Sequence, residues 1–295
     1  MTIRAYLYLV GASLAWGGNA VAGKLAVGHI SPMAFTCLRW ALALIVIMPF
    51  ATRSLLQDRS VIARTWPLLL TFGAVGFTGF NALLYLALHH TGAINVSIEQ
   101  AGIPLMIFVG NFLFFRTSVY RSQMAGFLLT LAGVAVTAAH GDLGTLLSLD
   151  LNFGDALMLV AVFVYAGYTL SLRWKPELAW TSLLTMAALG AFLASLPLLA
   201  AEYAAGQMQM PDQTGWIAVL YTALVPSLAA QIFYIWGVDL IGANRAGLFI
   251  SLVPIFGTLL AIAFAGEVPH LYHGIALSLV IAGIVIAERF KPKAL

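Results

Sequence analysis

Gly92–Phe115, GAINVSIEQAGIPLMIFVGNFLFF, and Gly242–Ala265, GANRAGLFISLVPIFGTLLAIAFA, decide the fold. At an offset of 150 residues, Gly92-Ala93 meets Gly242-Ala243 and Pro104 meets Pro254. Each stretch is long and apolar enough for a helix to cross hydrocarbon, which takes about 20 residues. The same offset lays Ala132-Gly133 on Ala282-Gly283; an offset of 149 lays Trp16 on Tyr165, Gly18 on Gly167 and Lys24 on Arg173. The chain reads as two related halves, residues 1–140 and 153–289.

Apolar stretches continue outward in both directions. Ten qualify as membrane helices: 4–26, 32–52, 65–88, 93–115, 121–140, 153–173, 179–202, 214–237, 243–265 and 271–289. Of 295 residues, 62% are hydrophobic and 8% charged, against about 45–50% and 25% in soluble domains. A water-soluble exterior is not available to such a chain. The first stretch reads as a retained helix rather than a cleaved signal, because apolar segments follow all along the chain. Turn residues such as Ser31-Pro32, Gly141-Asp142 and Met210-Pro211-Asp212 separate the stretches.

Five crossings per half is an odd number, so the second half must enter the membrane from the opposite face. The charges agree. With both termini cytoplasmic, Arg4, Arg53, Arg59, Arg64, Arg116, Arg121, Arg173, Lys175, Arg245, Arg289, Lys291 and Lys293 fall inside, twelve of the fourteen basic residues. The opposite loops hold Asp142, Asp150, Glu202, Asp212 and Glu267. Inverted repeats are a signature of secondary transporters, which bind substrate near midplane between the halves.

Trp16-Gly17-Gly18-Asn19 running to Lys24, Arg39-Trp40-Ala41-Leu42-Ala43 after Ser31-Pro32, the two Gly-Ala entries with their prolines, and Gly266-Glu267 carry a resemblance. The chain resembles the EamA family of the drug/metabolite transporter superfamily, and within it the YddG-type amino-acid exporters. The resemblance covers essentially the whole chain. It implies an all-α membrane protein of ten transmembrane helices in two inverted five-helix repeats. It also implies a bacterial inner membrane, cytoplasmic termini, alternating access, and a central cavity walled by helices 1, 3, 4, 6, 8 and 9. Arg116-Thr117 stands where the second half has Gly266-Glu267, so one half lacks that acid.

Polar side chains at bilayer depth cost enough to demand a partner or a watery cavity. Thr78, Asn81 and Tyr85 share one helical face, as do Ser227, Gln231 and Tyr234. Trp16 and Asn19, with the repeat partners Tyr165 and Tyr168, add aromatic faces and an amide; Glu99, Gln100 and Ser251 complete the expected substrate-binding set. Such a pocket suits a zwitterion or a flat organic cation. The alternative is that amides join helices and aromatics fill the core.

Arg39 and Glu99 lie at similar depth, roughly 9–11 Å from the outer surface at 1.5 Å per residue. Equal depth permits an ion pair; otherwise Glu99 is a proton or substrate-ammonium site. Pro104 and Pro254 read as mid-helix hinges or static kinks. Small residues such as Gly257, Ala261 and Ala265 allow close helix packing.

Several signals point nowhere. Gly18–Lys24 has the start of a phosphate loop, but Leu25 replaces the hydroxyl residue and no strand precedes it, so ATP is not expected. Basic clusters that would bind nucleic acid are lacking. All six histidines fall at the expected outer surface; His270 and His273 could share a metal, though no metal, cofactor or catalytic residue is expected. A serine–histidine pairing at matched depth is not recognisable, which argues against an intramembrane enzyme. The sequence therefore predicts a secondary transporter exporting amino acids or related metabolites, with protons as a possible coupling partner. Organic-cation export and a passive channel are the alternatives.

Overall fold

The computed structural model describes residues 2–116, 121–142, 152–241, 246, 249–250 and 252–289. Thr117, Asp150, Gly242-Ala243, Arg245, Ser251, Lys291 and Lys293, all used in the sequence reading, lie outside them.

Among the described residues every regular element is helical. The chain runs through α1 (Thr2–Ala26), α2 (Pro32–Gln57), α3 (Arg59–Phe72), a π-helical segment Gly73–Gly79, α4 (Phe80–Ala87), α5 (Ala93–Glu99), α6 (Gly102–Phe115) and α7 (Arg121–Ala138). It continues through α8 (Phe153–Ser171), α9 (Trp180–Ala204), α10 (Gln213–Leu224), a second π segment Val225–Ala229, α11 (Ala230–Ile241), α12 (Val253–Phe264) and α13 (Leu271–Arg289). Among the described residues six helical spans are long and apolar enough to cross a membrane: Pro32–Gln57, Arg59–Ala87, Ala93–Phe115, Phe153–Trp174, Trp180–Ala204 and Gln213–Ile241. Met124–Ala138, Val253–Phe264 and Leu271–Ile286 are shorter apolar helices.

The reason for helices is the solvent. Hydrocarbon offers backbone groups no partners, so each span must satisfy its own N–H and C=O groups. The outward faces carry Ile45, Phe50, Phe114, Phe163 and Leu259, each more than half exposed. In water these would be a liability; against lipid tails they are the fitting surface.

Small residues set the interior spacing. A Cβ on Gly133 of α7 would meet the Ala276 carbonyl oxygen at 2.7 Å, and one on Gly283 of α13 would meet the Gly126 carbonyl oxygen at 2.5 Å. Residues 126–133 thus pass residues 283–276 in reverse order, and α7 and α13 lie antiparallel with backbones nearly touching.

Contacts sort the connections to two ends. At one end, the Ser31 hydroxyl donates to Glu202, and Lys24 Nζ donates to the carbonyls of Leu88 (3.0 Å) and Thr91 (2.8 Å). Glu202 also accepts from the N–H groups of Met33 and Ala34, both at 3.1 Å, capping α2. At the other end, Asp58 accepts from Ala179 N at 3.0 Å, and the Arg173 guanidinium lies 4.2 Å from the Phe115 ring centroid.

Two expectations change here. Pro104 is the third residue of α6 and Pro254 the second of α12. Neither is mid-helix: in a first turn the missing N–H costs no intrahelical bond, so each proline helps begin a helix. The interruption lies before Pro104, at Gln100-Ala101, where the pattern tightens to Ala101 N→Ile98 O and Ile103 N→Gln100 O, both 3.0 Å.

Candidate functional site

Arg39 of α2 is 4% exposed and organises the polar interior. Its Nε donates to Ser227 Oγ at 2.8 Å. Its Nη1 donates to Asn19 Oδ1 and Asn81 Oδ1, each at 2.7 Å, and reaches the Tyr85 hydroxyl as well. Those groups support one another. Tyr85 donates to Asn19 Oδ1 at 3.0 Å, Asn19 Nδ2 donates to Asn81 Oδ1 at 3.3 Å, and Asn81 Nδ2 returns to the Phe77 carbonyl at 2.7 Å. The guanidinium carbon lies 5.0 Å from the Trp40 ring centroid and 5.9 Å from that of Tyr85.

The backbone shape delivers these side chains. The two π segments end just before Asn81 and Gln231, and their residues 75–79 and 225–229 correspond at the offset of 150. In the second, Ser227 Oγ donates to the Thr222 carbonyl five residues back at 2.7 Å, and Trp16 Nε1 donates to the Pro226 carbonyl at 3.2 Å. A π segment leaves carbonyls out of register and is frequent at functional sites. Here a serine and a tryptophan take up the loosened groups.

Among the described residues every hydrogen-bond partner of Arg39 is neutral. Among the described residues no carboxylate pairs with it, and the two pairings within ion-pair distance both involve histidine. The expected Arg39–Glu99 ion pair is therefore not formed. Glu99 ends α5 fully enclosed, with neither carboxyl oxygen hydrogen-bonded, and α8, which carries the enclosed acid Asp155, packs against α5. Depth alone does not fix which way a side chain points around a helix, and these two point to different neighbours.

The other expected residues divide. Trp16 packs against Tyr234 with ring centroids 5.4 Å apart; Tyr165 packs against Tyr168 at 5.5 Å and Phe80 at 4.9 Å. Thr78 leaves the group, because its hydroxyl donates to the Ala191 carbonyl of α9 at 2.6 Å. The wider π turn rotates it off the Asn81 face that a regular helical period would give it. Gln100 folds back onto the Val96 carbonyl at 3.3 Å, and Gln231 is half-buried on α11. Ser251 lies outside the described residues.

A second polar group occupies the end bearing Glu202 and Glu267. A cavity of about 450 Å³ opens there, and none of the expected substrate-binding residues lines it; Lys24, Asn95, His140, Glu267, His270 and His273 do, among others. Glu267 caps α5, accepting from Ala93 N at 2.6 Å and Ile94 N at 2.9 Å. His273 is buried rather than at the surface. Its Nδ1 accepts from His270 N at 2.9 Å and its Nε2 meets Asn95 Oδ1 at 3.0 Å, so neither nitrogen is free for the metal that His270 and His273 were expected to be able to share. Sequence reasoning missed Asp155, an enclosed acid. The available signal was an acid placed as the third residue of the apolar stretch 153–173.

Comparison with known proteins agrees with this architecture. The model of the EamA-like transporter family matches residues 3–139 and, a second time, residues 152–288. The uncharacterized transporter YetK of Bacillus subtilis is 27% identical over 288 residues, covering 96% of this chain and 86% of its own length. An uncharacterized transporter of Archaeoglobus fulgidus is 26% identical over 293 residues, covering 97% of this chain and 98% of its own. One solved crystal structure superposes with a TM-score of 0.66 at 20% identity, covering 97% of each chain, a likeness of fold.

Proposed function

Since the chain belongs to the EamA-like transporter family, we propose that it is a secondary transporter exporting small amphiphilic carboxylates, neutral amino acids foremost, with Arg39 as the carboxylate anchor. The observation that carries this reading is a guanidinium enclosed, among the described residues, by neutral partners. An enclosed unpaired charge costs several kcal/mol, and Arg is the side chain best shaped to receive a carboxylate. The missing anion is supplied by the substrate. Trp16, Tyr165, Tyr168 and Tyr234 offer apolar faces for its side chain. An organic cation is disfavoured, because it would meet a positive charge already stacked on Trp40.

Ten crossings in two inverted halves, residues 1–140 and 153–289, are part of the same proposal. The double family match and the antiparallel α7 and α13, one from each half, support it. So does the charge distribution. Arg53, Arg59, Arg64, Arg116, Arg173 and Lys175 belong to connections at the Asp58–Ala179 end, which is assigned to the cytoplasm of a bacterial inner membrane. Alternating access then exposes Arg39 to each side in turn, with the interruption at Gln100-Ala101 as one hinge.

The experiment is counterflow of labelled phenylalanine into liposomes holding the purified protein, with Arg39→Gln and Asn81→Ala alongside. Saturable exchange that both substitutions weaken without loss of folding is expected. Full exchange by Arg39→Gln would remove the anchor.

A further inference from the structure

Asp155 and His140 straddle the boundary between the open cavity and the enclosed interior. The Asp155 side chain is 0% exposed and that of His140 39%, with Asp155 Oδ2 and His140 Nε2 3.3 Å apart. Thr91 Oγ1 donates to Asp155 Oδ1, and Oδ2 has no hydrogen bond of its own. Deeper in, Glu99 is likewise without a donor. The described residues thus supply two enclosed acids with oxygens that lack a hydrogen-bond donor, Asp155 at Oδ2 and Glu99 at both oxygens.

The surrounding bonds fix the direction of the lone pairs. His273 Nδ1 accepts a backbone N–H, so in the neutral ring Nε2 carries the hydrogen and donates to Asn95 Oδ1. The Asn95 amide nitrogen therefore faces Thr91 Oγ1 at 3.2 Å and His140 Nε2 at 3.1 Å. His140 Nε2 is then an acceptor, held by the Asn95 amide with Asp155 Oδ2 3.3 Å away, and the ring's other nitrogen carries hydrogen.

The backbone at His140 adds a separate observation. Its φ is 50°, left-handed, at the end of α7. His140 N bonds Thr137 O and Gly141 N bonds Val136 O, both at 2.9 Å, which is the Schellman stop that usually has glycine in this position. A side chain there costs about 1–2 kcal/mol. The imidazole is kept at a position where glycine would fold more easily.

We propose that Glu99 and Asp155 form a proton-binding site that couples transport to a proton gradient, and that His140 relays the proton between Asp155 and the cavity. In release, the Asn95 amide hydrogen bond to His140 Nε2 gives way, the Asp155 Oδ2–H bond breaks as His140 Nε2–H forms, and the hydrogen on the ring's other nitrogen leaves to cavity water. Asp155 is left ionised and the imidazole neutral. Several other ionisable groups at this end are already engaged. Lys24 is held by two carbonyls, Glu267 by two N–H groups and His273 by Asn95 and His270. His89, His90, His270 and Tyr272 line the cavity, Tyr272 with its ring centroid 6.0 Å from that of His140, and Asp142 follows His140 by two residues.

The inference rests on the transporter reading, so its test has two arms. In liposomes, proton-driven accumulation of phenylalanine is compared with its exchange at equal pH. The ratio of accumulation to exchange is expected to fall at least tenfold in Asp155→Asn, Glu99→Gln and His140→Gly, whereas a folding defect lowers both together. An unchanged ratio in Asp155→Asn overturns the proposal. The second arm needs no substrate: infrared spectra of the purified protein at neutral pH. A protonated-carboxyl band that the double variant Glu99→Gln, Asp155→Asn abolishes supports the site, and absence of the band in the unaltered protein refutes it. Should phenylalanine not exchange at all, the amino-acid reading fails while the infrared arm still decides the proton site.

Discussion

At the scale of single residues, Arg39 decides most. Its bonds to Asn19, Asn81, Tyr85 and Ser227 draw α1, α2, α4 and the second π segment together. A hydrogen bond to a charged group contributes about 1.5–3 kcal/mol, so Arg39→Gln should weaken counterflow by roughly 10–100-fold. Arg39→Lys should fall between, because a point charge cannot reach Ser227 and the two asparagines at once. Thermal unfolding of both variants separates lost recognition from lost folding. A second residue-scale prediction concerns acid. The Asp212 carboxyl is held below its ordinary 3.8, first by the Gly215 N–H and then by His29, with His29 Nδ1 2.7 Å away. A lowered folded-state pKa means that the stabilisation is present above 3.8 and is lost as pH falls through the lower value. Asp212→Asn should therefore leave acid unfolding less steep below about pH 4, measured by circular dichroism. The sequence made Asn19, Asn81, Tyr85 and Ser227 visible as misfits in apolar helices. It did not show that they converge on Arg39, since composition and depth carry no azimuth. Asp155 escaped because an acid in the first turn of a helix reads as an ordinary partner of the helix dipole.

At the scale of elements, helix ends and crossings carry the stability. Glu267 supplies both acceptors at the start of α5, a short helix that no side chain of its own caps. Glu267→Ala should lower stability by about 0.5–2 kcal/mol, read as a lower Tm in detergent. Gly133→Leu should do more, because its Cβ would lie 2.7 Å from the Ala276 carbonyl oxygen and α7 would have to move off α13. The apolar stretches were legible, and helix occupies at least part of each. The π segments and the interruption at Gln100-Ala101 were not. They are set by tertiary contacts, such as Trp16 to the Pro226 carbonyl and Thr78 to the Ala191 carbonyl, which no local periodicity records. The prolines misled for the same reason: a proline inside an apolar run does not reveal that the helix has just restarted before it.

At the scale of the whole molecule, transport requires two ends that face different compartments. Cysteines placed at Asp58 and Gly206, with the buried Cys37 left in place, should react with an impermeant reagent from opposite sides of sealed cells. The central claim is recognition of a carboxylate in an enclosed site that reopens on either side. Counterflow with phenylalanine and with its carboxamide, identical except for the anionic group, tests it most directly. Saturable exchange of phenylalanine is expected, with exchange of the amide reduced at least tenfold, a difference that Arg39→Gln erases. Equal exchange of acid and amide by the unaltered protein would contradict it.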